Sequence, residues 1–184
     1  MLLTIPYQTL EIGRVHLNPF KKDSKGRAIA SLSYKDTSID INDLSILTPP
    51  LQVIDYDQST SRLRLDIKNH TQFSTKLSTL HEYIISTFYL HRMSLLGKNY
   101  TIQEIGTFFQ SLIHENIFSV FVYPTTSVRN SDESFIKISS IKPGDIVRFP
   151  VCFQGIMKVD IHNGSSFRLR IQHNVPILWN VSSS

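Results

Sequence analysis

Two pairs of arginines that alternate with apolar residues are the strongest chemical signal in this sequence. Arg62 and Arg64 alternate with leucines, and Arg168 and Arg170 alternate with aromatic and aliphatic residues. Because successive side chains of a strand point to opposite faces, each pair projects from the solvent face of a half-buried strand. Such rows of guanidinium groups suit a phosphate backbone. Outward arginines are also ordinary protection of a sheet edge, so a purely structural role is the competing interpretation.

A basic loop near the N-terminus combines an aromatic ring with several cations. Residues 20–27 read Phe-Lys-Lys-Asp-Ser-Lys-Gly-Arg. Binders of single-stranded nucleic acid use this combination for base stacking and charge neutralisation. Tyr34 and Tyr56 would add stacking surfaces if they are exposed. The sequence therefore predicts a nucleic-acid-binding set that consists of Phe20, Lys21, Lys22, Lys25, Arg27, Tyr34, Arg62, Arg64, Arg168 and Arg170.

The sequence contains none of the common catalytic or cofactor-binding motifs. It has no glycine-rich phosphate loop, no GxSxG, no HExxH and no CxxC, and its seven histidines are scattered. Asp55, Asp57 and Asp66 could in principle bind a divalent cation, but aspartates next to turns are common for their local hydrogen bonds. We therefore expect no enzyme, no catalytic residue, no metal and no cofactor. A magnesium-dependent nuclease built on the three aspartates is the weakest alternative.

Length and composition predict one folded domain that covers residues 1–184. Hydrophobic residues make up 41% of the chain and charged residues 18%, which excludes the disordered class. A single cysteine, Cys152, rules out an internal disulfide and fits a reducing compartment. No segment approaches the roughly 20 apolar residues of a transmembrane helix, and the first residues lack a signal-peptide pattern. We expect a soluble, intracellular protein without a membrane partner.

The charge distribution favours an anionic partner on one side of the molecule. The formal net charge is only +4. Residues 142–184 carry five cations against two acids, whereas residues 101–141 carry two cations against four acids. A basic C-terminal part and an acidic middle part would make a two-sided molecule.

The period of the hydrophobic pattern changes twice along the chain, which predicts helices between two groups of strands. Apolar residues recur every three or four positions over 73–88 and 102–113, and Thr101 with Glu104 forms a capping-box pattern before the second segment. We expect two antiparallel helices there. Strands are predicted over 10–17, 27–34, 51–56, 61–67, 117–123, 146–153, 156–161, 166–172 and 175–181.

Turn signals complete the predicted fold. Asn163-Gly164 predicts a tight hairpin between two strands, and residues 124–134 read as a polar, mobile loop. The predicted fold class is α+β, mainly β: an OB-like barrel or a small sandwich with a two-helix insertion. A closed barrel and an open sandwich of the jelly-roll type both show short alternating strands, so the pattern leaves that choice open.

The order of the segments resembles a known protein family. The resemblance rests on the segment Ile46-Leu-Thr-Pro-Pro-Leu-Gln-Val53, the strand after Arg62, the helix from Phe73, and the closing Lys142-Pro-Gly-Asp145 and Phe153-Gln-Gly155. This order is similar to that of the OB-fold single-stranded-DNA-binding proteins of nucleocytoplasmic large DNA viruses, which resemble the helix-destabilising proteins of bacteriophages. It extends over residues 10–179. The resemblance implies that the arginine pairs lie on or near barrel strands, with residues 21–27 beside the binding groove.

We therefore expect a non-enzymatic viral protein that binds single-stranded DNA during genome replication or repair, in the host cytoplasm or nucleus. The alternative is a structural or scaffolding protein of the virion, a minor capsid or core component. Phage-type members end in an acidic tail, whereas this sequence ends Trp179-Asn-Val-Ser-Ser-Ser, which favours that alternative. Other viral proteins are then expected partners, and the sequence leaves homo-oligomerisation open.

Overall fold

The computed structural model describes residues 3–36, 40–161 and 166–182, which form fifteen strands and three α-helices. The class α+β, mainly β, is thereby confirmed. Three short 3-10 helices accompany them, at Tyr7–Thr9, Ile12–Arg14 and Ile138–Ser140. The α-helices are α1 (Thr71–Leu90), α2 (Arg92–Leu96) and α3 (Ile102–Phe108). The strands are β1 (Ile5–Pro6), β2 (Val15–Lys22), β3 (Ala28–Lys35), β4 (Asp40–Ile41), β5 (Leu44–Leu47), β6 (Leu51–Asp57), β7 (Arg62–Asp66), β8 (Ile113–His114), β9 (Ile117–Phe121), β10 (Ser127–Arg129), β11 (Phe135–Ile136), β12 (Ile146–Arg148), β13 (Pro150–Ile161), β14 (Ser166–Asn174) and β15 (Ile177–Asn180).

The strands form two sheets whose buried faces contribute to one hydrophobic core. The first sheet has the order β1-β5-β13-β3-β2, with β14 also paired to β13 and β4 to β3. The second sheet has the order β11-β10-β15-β12-β6-β7-β9-β8. Neither sheet closes into a barrel within the described residues. We call the side of each sheet that points away from the core its outer face.

The chain passes from one sheet to the other at a corner where two segments meet. The Thr48 N–H donates to the Phe149 carbonyl oxygen at 3.0 Å, and the Phe149 N–H donates to the Thr48 hydroxyl at 3.2 Å. Both side chains are fully buried. The prediction of one strand over 146–153 is therefore wrong. Residue 149 separates β12 in the second sheet from β13 in the first, just as Thr48-Pro49-Pro50 separates β5 from β6.

Helix α1 confirms the first predicted helical segment. Its apolar face is buried, as the period of three and four residues predicts, and consists of Phe73, Leu77, Leu80, Ile84 and Phe88. The helices lie in sequence between β7 and β9, which are hydrogen-bonded neighbours in the second sheet. The helical part is therefore an excursion between two adjacent strands, as the predicted insertion requires.

The insertion contains three helices rather than the predicted two. Gly97, with a φ of 72°, ends the short additional helix α2. The capping box at Thr101 and Glu104 is confirmed, but α3 ends at Phe108 and the prediction that it continues to residue 113 is wrong. The physical reason is tertiary: Phe109 packs edge-to-face on Phe88, and the following Gln110 N–H donates to the Leu169 carbonyl of β14.

Most predicted strands are present, with shifted ends. The segment predicted over 10–17 contains a 3-10 turn at Ile12–Arg14 and becomes a strand only from Val15. The segment predicted as a polar loop over 124–134 contains β10, which pairs in parallel with β15. Strands β13 and β14 pair antiparallel as predicted, and Asn163-Gly164 lies outside the described residues. In the described part of the chain, no helix is long and apolar enough to span a membrane.

Candidate functional site

The two sheets meet where the Phe121 end of β9 lies against β14. β14 has β13 as its sheet partner, and β9 pairs along its whole length with β7 on one side and, over Ile117 and Phe118, with β8 on the other. Between them, the Phe121 N–H of β9 donates to His173 Nε2 of β14 at 3.1 Å. This contact joins the first sheet to the second through a single imidazole, so the outer faces of the two sheets become continuous there.

A groove on the surface follows this junction, and we call it the seam groove. One wall comes from β7 and β9 of the second sheet, the other from β14 of the first, and the segment Gln110–Leu112 lies along it. The part beside Arg62 and Arg64 has a volume of about 440 Å³, and the narrow part that Arg62 and Arg170 line together has about 30 Å³. The residues that define the groove are Arg62, Arg64, Ser119, Phe121, Arg170 and His173.

Strand register explains why arginines line both walls. Arg62 stands opposite Phe121 and Arg64 opposite Ser119 on neighbouring strands, so all four side chains share the outer face of the second sheet. The Arg62 guanidinium carbon lies 5.2 Å from the centre of the Phe121 ring, a cation–π contact that orients the charge along the groove. Arg170 comes from the outer face of the first sheet. The alternation of the sequence thus places three of the four predicted arginines at one site.

Charge in the seam groove is concentrated on Arg62 and Arg170. Arg64 is ion-paired with Asp55, with Nε donating to Oδ1 at 2.7 Å and a second bond from the terminal nitrogen. In the described ranges, neither Arg62 nor Arg170 has an acidic partner within ion-pair distance. Desolvation lowers the pKa of His173, and the positive charges of Arg62 and Arg170 lower it further. A neutral histidine between two arginines leaves a site that favours anions.

A polar turn borders one end of the groove. The Asp57 carboxylate accepts hydrogen bonds from the hydroxyls of Ser59 and Thr60 at 2.6 and 2.8 Å, and these bonds lower the pKa of Asp57 to about 2. The hydroxyl-rich turn of residues 59–61 lines the groove together with Tyr123, whose side chain is 45% exposed. This end therefore offers hydroxyl groups and an accessible aromatic ring.

The three aspartates considered for a metal are engaged elsewhere. Asp55 is ion-paired with Arg64, and Asp57 accepts hydrogen bonds from Ser59 and Thr60 of the following turn. Asp66 accepts the Lys68 N–H at 2.8 Å. Over residues 3–36, 40–161 and 166–182, no three His, Cys, Asp or Glu side chains are grouped closely enough to hold a metal ion.

Two aromatic residues of the predicted binding set point away from solvent. Phe20 stands opposite Ala30 on the buried face of the first sheet, and its ring packs on Phe88 of α1 with centroids 5.9 Å apart. Tyr34 lies on the same face and is only 6% exposed. The prediction that Phe20 and Tyr34 offer stacking surfaces is therefore wrong, because β2 extends through Phe20 and directs its ring into the core. Tyr56 is half-buried and donates from its hydroxyl to the Val122 carbonyl at 3.1 Å.

The cations of the N-terminal loop lie at the tip of the β2–β3 hairpin and are exposed. Arg27 is ion-paired with Asp23 at 2.7 Å. Lys22, Lys25 and Arg27 do not line the seam groove. The structure therefore separates this part of the predicted set from the arginines of β7.

Lys21 and Arg168 belong to a second, flatter basic area beside the groove. Direct pairings run from Lys21 through β3 and β13 to Arg170, which places both cations on the outer face of the first sheet, about three strand spacings or roughly 14 Å apart. Arg168 lies two residues from Arg170 on that face and is exposed. The outer face of the first sheet therefore adds Arg168 beside Arg170 and, beyond Ile29 and Met157, Lys21.

Two important groove residues were not predicted from the sequence. Phe121 can be assigned to the groove only because it stands opposite Arg62. That register depends on the pairing of β7 with β9, which are separated in sequence by the helical insertion. His173 falls in an alternating strand pattern with Leu169 and Ile171, and that pattern does indicate an inward side chain. What the pattern cannot show is that the imidazole accepts a bond from another sheet.

Comparison with known proteins adds nothing to this geometry. No protein-family model, no curated protein and no solved structure matches the chain. The seam groove itself indicates the function: it has two arginines without acidic partners in the described residues, a ring under one of them, and a hydroxyl-rich turn.

Proposed function

We propose that this chain is a non-enzymatic protein that binds single-stranded DNA without strong sequence preference, and that the seam groove is its binding site. The observation that carries the proposal is the convergence of Arg62 and Arg170 from two different sheets on one groove. Both guanidinium groups contribute charge where His173 stays neutral. This arrangement suits phosphate groups, which supply most of the affinity in sequence-independent binding.

The groove has the other components that a flexible single strand requires. Tyr123, 45% exposed at one end, offers a ring for base stacking, which tolerates any base because every base has a π-face. The hydroxyls of Ser61 and Ser119 can donate to phosphate or sugar oxygens, contacts that position a strand without reading its sequence. The exposed Arg168 and Lys21 extend the electrostatic attraction beyond the groove.

Binding of a fluorescent oligonucleotide, followed by anisotropy at several salt concentrations, tests the proposal. The double substitution Arg62→Glu with Arg170→Glu should weaken binding by at least about tenfold, because two attractive contacts become repulsive. The slope of log affinity against log salt should fall by about 1.4, since each phosphate contact with a single strand contributes about 0.7.

The matched control is Lys68→Glu with Lys98→Glu, which changes the net charge by the same amount at exposed positions outside the groove lining. This variant should keep most of the affinity and the original salt slope. Equal losses in both variants would show that only net charge matters and would contradict a defined site. Binding no tighter than millimolar for the unmodified protein at low salt would end the proposal.

The family resemblance gives this proposed activity a biological setting. The resemblance to OB-fold single-stranded-DNA-binding proteins of large DNA viruses suggests a role in viral genome replication or repair. An insertion of helices between neighbouring strands and a closing strand hairpin support that comparison. On this proposal the protein acts in the host cytoplasm or nucleus, at the site of viral replication.

The alternative is a structural or scaffolding protein of a virion, and one observation favours it. Leu90 and Met93, at the junction of α1 and α2, are 73% and 61% exposed. Adjacent exposed apolar side chains are typical of protein contacts. The double substitution Leu90→Ser with Met93→Ser should then abolish association with a coat or core protein and leave oligonucleotide binding unchanged. The two glutamate substitutions in the groove should do the reverse.

A further inference from the structure

A row of alternating rings and guanidinium groups crosses the opposite end of the second sheet. Register places Phe135 of β11 beside Arg129 of β10, Arg129 beside Trp179 of β15, and Trp179 beside Arg148 of β12. Directly paired residues share a face, so the four side chains stand side by side on the outer face. We call this set the Trp179 row.

The members of the row are accessible from solvent. Phe135 is 70% exposed, which is unusual for a large apolar side chain within a strand, and Arg148 is also exposed. Arg129 and Trp179 are half-buried. The row is therefore an open surface rather than part of the core, whose residues on this sheet, such as Val128 and Leu178, point the other way.

The two arginines are held in place differently. The Arg129 guanidinium carbon lies 4.4 Å from the centre of the Phe135 ring, and its Nη1 donates to Glu133 at 2.9 Å. Arg148 makes one hydrogen bond from Nε to the Thr48 carbonyl at 3.3 Å and, in the described residues, no ion pair. Arg148 therefore carries most of the uncompensated charge of the row, whereas Arg129 fixes the position of the Phe135 ring.

An apolar groove of about 510 Å³ lies next to the tryptophan. Leu47, Pro150 and Ile177 contribute to it, and Arg148 is the charged residue of its lining. A flat ring that stacks on Trp179 would enter this groove with Arg148 at its rim. The site thus combines a stacking surface, an apolar recess and a cation.

We infer that the Trp179 row is a second contact site for single-stranded nucleic acid. A strand alternates flat bases with anionic phosphates, and the row alternates rings with cations at strand spacing. Trp179 and Phe135 lie two strands or roughly 10 Å apart, so two bases can stack on the row, with a phosphate at Arg148 on the other side of Trp179. The choice of nucleic acid rests on the function proposed above.

The Trp179 row is distinct from the seam groove. Across the sheet, β15 and β7 are three strand spacings apart. Along the strands, the offset is read from β6, where Leu51 pairs with Val147 and Asp57, six residues later, pairs with Arg62. Combined, these offsets put the sites roughly 25 Å apart on the outer face of one sheet. Asp55 and Asp57 lie on the strand between them, so the positive potential is not continuous along that path.

Trp179 is the single tryptophan of the chain, so its fluorescence reports on this site alone. The experiment adds unlabelled oligothymidine to the full chain and follows tryptophan emission, while anisotropy of a labelled oligothymidine measures total binding. We expect a saturable, salt-sensitive quench of the emission. Phe135→Ala with Arg148→Glu should weaken the binding seen by the quench at least about fivefold, as expected for the loss of one stacked base. The control is Leu90→Ala with Lys98→Glu, a similar change in exposed apolar area and charge elsewhere, which should leave the quench unchanged.

Each outcome separates this site from the seam groove. A quench that persists in the variant with Arg62→Glu and Arg170→Glu supports the Trp179 row as a separate site, and unchanged anisotropy in that variant counts against the groove. A rise in anisotropy with unchanged tryptophan emission overturns the second site and leaves the proposed function intact. The absence of both signals overturns both. Self-association that depends on Phe135, without any quench by oligothymidine, would make the row an interface between copies and would also overturn the inference.

Discussion

At the scale of single residues, His173 is the most informative side chain. It is 2% exposed, its Nε2 accepts the Phe121 N–H, and its Nδ1–H donates to the Ile171 carbonyl at 3.0 Å. These two bonds require the neutral tautomer with the proton on Nδ1. Protonation of Nε2 would remove the acceptor and place a third positive charge beside Arg62 and Arg170. The histidine therefore joins the two sheets only while it is neutral.

This bond predicts that the free energy of unfolding falls as the pH is lowered. The pKa of His173 is lowered in the fold, whereas in the unfolded chain it has the ordinary value of about 6.5. Below about pH 6.5 the histidine takes up a proton in the unfolded chain but not in the folded protein. The free energy of unfolding therefore falls by up to about 1.4 kcal/mol per pH unit, until the pH passes the lowered pKa of the folded state. Urea unfolding from about pH 7.5 to about pH 5.5, either side of the ordinary histidine pKa, measures the loss.

Substitution of the histidine provides the control for that measurement. His173→Gln keeps an acceptor but cannot be protonated, so its pH dependence should be flatter than that of the unmodified protein. Some dependence should remain, because desolvation also lowers the pKa of His81. His16→Gln, at an exposed position, should behave like the unmodified protein. If His173→Gln showed the full pH dependence, the neutral histidine would not be its origin.

The sequence predicted which face of a strand a side chain occupies better than it predicted what that side chain does. The alternation around Arg62, Arg64, Arg168 and Arg170 predicted outward arginines, and three of them line one groove. Phe20 instead falls in a predicted basic loop, because the composition of residues 20–27 does not show that a strand continues into them. In the structure β2 extends through Phe20 to Lys22, and a shift in the β2–β3 pairing between Leu17 and Phe20 sets the side that the ring faces.

At the scale of elements, β13 is the strand on which the first sheet depends. Its first residues pair with β5, its middle residues pair with β3, and β14 covers its other side. The pairing with β14 shifts between Phe153 and Gly155, an irregularity that bends the strand. A Cβ atom at Gly155 would collide with the Ala30 carbonyl oxygen and come within 2.8 Å of the Ser31 Cα. The close approach of two backbones therefore requires glycine.

Gly155→Ala should destabilise the protein by about 1–3 kcal/mol, the usual cost of an added methyl group in a packed interior. Gly106→Ala is the matched control: it adds the same methyl group in α3, where no atom of the described residues lies within 4 Å of the new Cβ. Because alanine is the better helix former, that change should stabilise by up to about 1 kcal/mol. Urea unfolding midpoints measure both, and equal effects of the two substitutions would refute the close-approach argument.

Elements with a long local period were predictable, and those whose ends depend on distant partners were not. Helix α1 follows from its own apolar spacing. Helix α3 stops early because Gln110 bonds to β14, about sixty residues later in the chain, and no local pattern contains that information. The break between β12 and β13 at Phe149 also depends on a distant partner, because Phe149 bonds to Thr48, which lies 101 residues earlier in the chain.

At the scale of the whole molecule, the outer faces of the two sheets form the surface on which both proposed contacts lie. The order of strands and helices in the sequence predicted the class α+β with a helical insertion. It did not predict how the strands divide between two sheets, because a strand pattern does not say which partner it takes. The seam groove exists only through that division, since Arg62 and Arg170 belong to different sheets.

The two proposed contact sites predict a step in affinity with oligonucleotide length. A short oligonucleotide can occupy either the seam groove or the Trp179 row. An oligonucleotide long enough to bridge the roughly 25 Å between them can bind both sites at once, and the second contact then forms within the existing complex. Anisotropy with an oligothymidine series of about 4 to 16 nucleotides, a range typical of single-strand-binding sites, should therefore show a rise in affinity that is steeper than the growing number of binding positions explains. Phe135→Ala with Arg148→Glu should remove that step and leave the affinity of the shortest strands for the groove nearly unchanged. A smooth increase that is identical in the unmodified protein and this variant would show that one continuous site binds the strand.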